Sequence, residues 1–119
     1  MPPEAKVAIF EDKEYEILLA QGNLRAAGHT VVGIASTMGE AEELIPQLGE
    51  LGVQVAIVDG NLTTGDGSGN DGLNIHRQIK QLFPDITTVR YSRGPLEGLD
   101  ITDIKKGDVA ELARRITEL

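Results

Sequence analysis

Cysteine and tryptophan are absent from the 119-residue chain, and aromatic residues are limited to two tyrosines and two phenylalanines. Without cysteine there is neither a disulfide framework nor thiolate chemistry. Because aromatic residues are so few, the core must be aliphatic. No run approaches the roughly 18 apolar residues of a membrane-spanning helix. The first residues, MPPEAKVAIFED, lack a basic start and a long apolar segment, so we expect no secretory signal and a cytoplasmic location.

Basic residues are also scarce, since 11 Lys and Arg stand against 19 Asp and Glu, for a net charge of −8. This balance argues against nucleic acid or an anionic membrane surface as a direct partner. The length suits one domain over residues 1–119 with a core of ordinary size. No internal repeat or linker divides it.

The most informative stretch is VQVAIVDGNL, residues 53–62. Its β-branched and apolar residues end abruptly at Asp59, which is followed by Gly60 and Asn61. A short apolar run that stops at turn-forming residues is typical of a strand buried on both faces. Ligands bind at the carboxyl ends of strands in open α/β sheets, so Asp59 is a candidate for chemistry.

Strand and helix patterns alternate along the rest of the chain. Thr37 and Glu40 form a capping box for the second helix, which Pro46 should kink or shorten. His29 and His76 are predicted to be surface residues. The remaining strands are predicted over 6–10, 30–35, 87–91 and 101–104. The helices are predicted over 13–27, 37–51 and 72–83, and Asp108 caps a last one. In the third helix, one face carries Ile75, Ile79 and Leu82.

This alternation predicts an α/β fold with five parallel strands and helices on both faces. Right-handed crossovers bring the carboxyl ends of the first, third, fourth and fifth strands to one edge. The residues at those ends are Glu11 and Asp12, then Asp59, then Ser92, and finally Lys105 and Lys106.

Carboxylates crowded at one edge repel each other, and a hard divalent cation removes that repulsion. Mg²⁺ takes oxygen ligands and keeps waters, so two or three carboxylates and a backbone carbonyl suit it. A lysine and a hydroxyl opposite would supply a charge and a hydrogen bond to a phosphoryl group.

These residues resemble the receiver domains of bacterial two-component response regulators. The matching pieces are VAIFED, VAIVDGNL, the stretch from Pro84 to Ser92, and KKGDVAEL. The resemblance covers nearly the whole chain and implies a flavodoxin-like (CheY-like) five-stranded parallel sheet flanked by helices. It also implies phosphorelay signal transduction, in which the domain catalyses only its own phosphorylation and dephosphorylation.

The resemblance assigns a role to each residue. Asp59 would accept a phosphoryl group from a histidine kinase or a histidine phosphotransfer protein. Mg²⁺ would be held by Glu11, Asp12, Asp59 and the backbone carbonyl of Asn61.

Two further residues complete the implied site. Ser92 would hydrogen-bond the phosphoryl group and Lys105 would pair with it, although the register leaves Lys106 as an alternative. The signal would then pass to a downstream protein target.

The sequence departs from the family pattern between the fourth and fifth strands. Only twelve residues separate Ser92 from Lys105, so we expect the helix between these strands to be reduced or absent. Thr102 stands near the family's aromatic switch position, and Lys106 stands where proline is usual. These changes affect the usual dimer surface, so a homodimer is left open.

Two other functions compete with this one. The first is a pseudo-receiver that binds proteins without being phosphorylated. The second is a small phosphatase of the haloacid-dehalogenase type, which needs an acid–base carboxylate two residues after its nucleophile. Asn61 stands there, and an amide cannot exchange the required proton. A dinucleotide-binding role fails because no glycine fingerprint follows the first strand.

Overall fold

The computed structural model describes residues 5–58, 71–92 and 102–105. These residues form five strands, four α-helices and one short 3-10 segment. The strands are β1 (Lys6–Phe10), β2 (Thr30–Ala35), β3 (Val55–Val58), β4 (Thr87–Ser92) and β5 (Thr102–Lys105), and the helices are α1 (Glu14–Ala26), α2 (Met38–Leu44), α3 (Leu48–Leu51) and α4 (Asp71–Leu82).

The strands form one parallel sheet in the order β2-β1-β3-β4-β5. β3 lies at the centre, with β1 on one side and β4 on the other. Val7 pairs with Val55 and Phe10 with Val58, so β1 and β3 end at the same level. The predicted α/β fold is confirmed.

Successive residues of the central strands face opposite sides of the sheet, as the period of two requires. On one side, the strand residues pack against α1. On the other, they pack against α2, α3 and α4. The first cluster contains Val7, Ile9, Ile17, Ala20, Leu24, Val55, Ile57 and Val89, and the second includes Ala8, Phe10, Ala41, Ile45, Leu48, Ala56, Val58, Ile75 and Ile79. The prediction that 55–58 is buried on both faces is therefore confirmed.

The second predicted helix is interrupted, as Pro46 indicated. α2 ends at Leu44, a 3-10 segment covers Ile45–Gln47, and α3 follows. The Thr37 hydroxyl accepts a 3.0 Å hydrogen bond from the Glu40 amide, which confirms the predicted cap.

Three side-chain predictions were wrong. His29 and His76 are buried, with 4% and 7% of their surface exposed, whereas Leu82 is 55% exposed. The Nδ1 atom of His29 accepts a 3.1 Å hydrogen bond from the Ala5 amide, which holds the ring beneath the start of β1. Directly after α4, Phe83 packs against the second cluster in place of Leu82, because Phe83 stands four residues after Ile79.

The later strands differ from their predicted bounds by one residue, since β4 extends to Ser92 and β5 begins at Thr102. The predicted connection between them (93–101) and the predicted last helix from Asp108 lie outside the described residues. Among the helices described, none is both long and apolar enough to cross a bilayer.

The turn from α1 into β2 depends on Gly28, whose φ of 93° lies in the left-handed region. Its amide donates to the Arg25 carbonyl at 3.0 Å, and the His29 amide donates to the Leu24 carbonyl at 2.9 Å. This pair of hydrogen bonds is the Schellman motif, which favours glycine after the helix end.

We predict opposite effects for two Gly→Ala substitutions at positions that are equally open, since a Cβ at either would meet nothing within 4 Å. Gly28→Ala should lower the free energy of unfolding by about 1 kcal/mol because of its left-handed backbone. Gly22→Ala, inside α1, should raise it by about 0.5–1 kcal/mol. Urea unfolding followed by circular dichroism measures both, and equal changes would contradict the role given to Gly28.

Candidate functional site

The candidate site lies at the carboxyl edge of the sheet. β1 and β3 end at the paired residues Phe10 and Val58. Glu11 and Asp12 occupy the turn that joins β1 to α1. Both predicted acidic residues of the first strand therefore lie at the edge where β3 also ends.

Hydrogen bonds of both its backbone and its side chain hold Glu11 in place. Its amide donates to the Ala35 carbonyl at 3.0 Å, which ties the turn to the end of β2. Its Oε1 atom accepts a bond from the Lys13 amide at 3.2 Å. Only 4% of Glu11 is exposed, and a buried carboxylate needs such donors to offset its lost hydration.

Asp12 is half-buried, so its carboxylate combines partial shielding with access to solvent. One fixed carboxylate next to a more accessible one is a donor set that fits a hard cation such as Mg²⁺, which binds through a few protein oxygens and keeps waters. In the part of the chain that the structure describes, no group of three or more His, Asp, Glu or Cys residues gathers. The other predicted ligands, Asp59 and Asn61, lie outside that part.

Ser92 and Lys105 are neighbours in the sheet. They are paired across β4 and β5, and adjacent strands lie about 4.8 Å apart. Lys105 is the last residue of β5, whereas we predicted that it follows the strand. Lys106 lies beyond the described residues.

The ends of β3 and β4 are also in register with each other. Arg90 pairs with Val58, so Ser92 stands two residues past the end of β3 along β4. Two residues of parallel strand span about 6.6 Å. The sheet thus brings the ends of β1, β3, β4 and β5 to one edge, as predicted, although the side chains of Ser92 and Lys105 are outside what is described.

Sequence reasoning missed Glu16, a second buried acid close to this edge. It lies in the first turn of α1 and is 4% exposed. Its spacing of four residues from the buried Ala20 could have indicated it, because residues four apart share a helix face. Its charge instead suggested a solvated position.

No known protein-family model matches the chain, and no curated protein matches its sequence. Solved structures do match. A CheY-like response regulator receiver domain protein from Methanospirillum hungatei has a TM-score of 0.74 at 18% identity, over 98% of this chain and 93% of that one. CheY of Borrelia burgdorferi, solved with CheX, BeF₃ and magnesium, has a TM-score of 0.75 at 14% identity, over 96% and 87%.

A DNA complex of the two-component response regulator RcsB also matches, with a TM-score of 0.77 at 24% identity. The match covers 98% of this chain but only 60% of that one, so the similarity spans only part of the length of RcsB. These similarities establish that the chain has the CheY-like receiver fold.

We predict that the Glu11 side chain stabilises the β1–α1 turn through its hydrogen bond. Glu11→Ala should lower the free energy of unfolding by about 1–3 kcal/mol, because the Lys13 amide loses its partly buried, charged acceptor. Glu11→Gln keeps a side-chain carbonyl at that place and should lose less. Urea unfolding without divalent cations measures the difference, and equal losses for both variants would contradict this role.

Proposed function

We propose that the chain is a response regulator receiver domain that accepts a phosphoryl group on Asp59 in a Mg²⁺-dependent reaction. The observation that carries the proposal is the pairing of Phe10 with Val58. Glu11 and Asp59 each follow one of these two residues in sequence, and successive Cα atoms are about 3.8 Å apart.

The acid pair supports the metal requirement. In this proposal Glu11, Asp12, Asp59 and the backbone carbonyl of Asn61 hold Mg²⁺. When bound, Mg²⁺ supplies positive charge that offsets repulsion between the carboxylates and the incoming phosphoryl group. The magnesium in the Borrelia burgdorferi complex belongs to a protein of the same fold.

The proposed reaction transfers a phosphoryl group between two side chains. A carboxylate oxygen of Asp59 attacks the phosphorus of a phosphohistidine, an O–P bond forms, and the N–P bond to the imidazole breaks. Lys105 pairs with the phosphoryl oxygens and Ser92 donates a hydrogen bond to them. Because the acceptor is the protein itself, we propose no turnover of a separate substrate beyond its own phosphorylation and dephosphorylation.

The proposed partners are proteins. A histidine kinase or histidine phosphotransfer protein supplies the phosphoryl group, and a downstream protein responds to altered binding. The net charge of −8 disfavours direct contact with nucleic acid, and the CheX–CheY complex shows that a protein of this fold binds a protein partner. A cytoplasmic location is part of the proposal, and a homodimer stays open.

The first test uses acetyl phosphate or beryllofluoride with Mg²⁺, and its readouts are intact mass and amide chemical shifts. We expect wild type to gain the mass of one phosphoryl group and Asp59→Asn to gain none, since an amide is a poor nucleophile. Asp85→Asn is the matched control, because Asp85 is an exposed carboxylate in the turn before β4. It should behave as wild type.

Each result of this test separates the competing functions. Modification retained in Asp59→Asn would overturn the assignment of that residue. No response of wild type to either reagent would indicate the pseudo-receiver. Continuous hydrolysis of a general phosphomonoester would instead indicate the phosphatase.

The second test addresses the metal site alone. Glu11→Gln and Asp12→Asn should each weaken Mg²⁺ binding about tenfold or more, or roughly 1.4 kcal/mol, because each removes a ligand charge. Glu14→Gln is the control, since Glu14 is exposed in the first turn of α1. Chemical-shift titration with MgCl₂ measures the affinities, and equal affinities in all three variants would refute the assigned ligands.

A further inference from the structure

A small cavity of about 140 Å³ lies between the end of α1 and the start of β2. It is lined by Gln21, Arg25, His29, Thr30 and Val31. Thr30 pairs with Lys6, the first residue of β1. The cavity therefore lies at the amino edge of the parallel sheet, opposite the edge where Glu11 and Asp12 lie.

The lining of this cavity suits an anion. Arg25 is its one residue with a permanent charge, and none of the five lining residues is acidic. Gln21 is half-buried and Arg25 is exposed, and the side chains of both carry hydrogen-bond donors.

The end of α1 does not cancel this preference. The negative end of a helix dipole disfavours an anion by about 0.3–1 kcal/mol. In α1, however, the Leu24 and Arg25 carbonyls accept bonds from the His29 and Gly28 amides. Arg25 itself stands in the last turn, so its charge opposes the dipole there.

One wall of the cavity is fixed by burial. His29 is only 4% exposed, and its Nδ1 atom accepts the bond from the Ala5 amide. This bond fixes the orientation of the ring through Nδ1. A ring held in this way gives the cavity a defined shape.

The volume limits what can bind. About 140 Å³ corresponds to roughly four or five water molecules of about 30 Å³ each. Pockets for drug-sized ligands start at about 300 Å³. A tetrahedral oxyanion therefore fits this volume.

We propose that this cavity binds a small oxyanion of the inorganic phosphate class, with Arg25 as the residue that supplies the charge. Arginine matches such oxyanions because its guanidinium donates two parallel hydrogen bonds. This site is separate from the proposed phosphoryl acceptor and does not depend on that function.

The test is a titration of the ¹⁵N-labelled chain with inorganic phosphate, without Mg²⁺ and at constant ionic strength maintained with sodium chloride. We expect saturable shifts of the Arg25, His29 and Thr30 amides. In Arg25→Gln the affinity should fall about tenfold or more. Arg77→Gln is the matched control, because Arg77 is an exposed arginine on α4, and it should bind as wild type does.

Two results would overturn the proposal. One is an equal loss of affinity in Arg25→Gln and Arg77→Gln, which would indicate general charge screening. The other is loss of these shifts in Asp59→Asn, which would place the anion at the opposite edge. Preserved spectral dispersion of Arg25→Gln shows that the variant is folded, and Arg25→Lys should bind more weakly than wild type but more tightly than Arg25→Gln.

Discussion

The pairing of β1 with β3 is the constraint on which the rest of the structure depends. Both strands are buried on both faces, so every residue from Val7 to Phe10 and from Val55 to Val58 is committed to one of two clusters. A shift of one residue in the register would move each side chain to the opposite face. The register therefore fixes where each strand ends, and with it the positions that follow.

One consequence is that a buried carboxylate, which is costly in hydration free energy, can be maintained at the edge of the sheet. Glu11 is buried, which costs hydration free energy, yet it is anchored by the Lys13 amide and by its own bond to Ala35. The hydrophobic contacts on either side of β1 hold this turn regardless of the charge. Stability from the core thus offsets the cost of burying the Glu11 carboxylate.

The central strands were predictable from sequence because burial on both faces leaves a plain apolar run, and Lys6–Phe10 has its predicted bounds. The edge strand Thr30–Ala35 also has its predicted bounds. The interruption of the second helix at Pro46 was also predictable, because proline acts on the backbone of its own neighbourhood. His29 and His76 were not predictable, because their burial depends on elements distant in sequence. Of the site, the turn at Glu11 and Asp12 followed from a strand end, whereas β5 ends one residue later than predicted and includes Lys105. The roles of Asp59 and Asn61 stay predictions.

The charge distribution of α1 connects the two edges of the sheet. Its first turn carries Glu14 and Glu16, directly after Glu11 and Asp12, and its last turn carries Arg25. Acids at the start and a base at the end both stabilise a helix through its dipole. The proposed cation site lies at the acidic start of this helix, and the proposed anion site lies at its basic end. The charges that stabilise α1 therefore have the signs that the two proposed sites require.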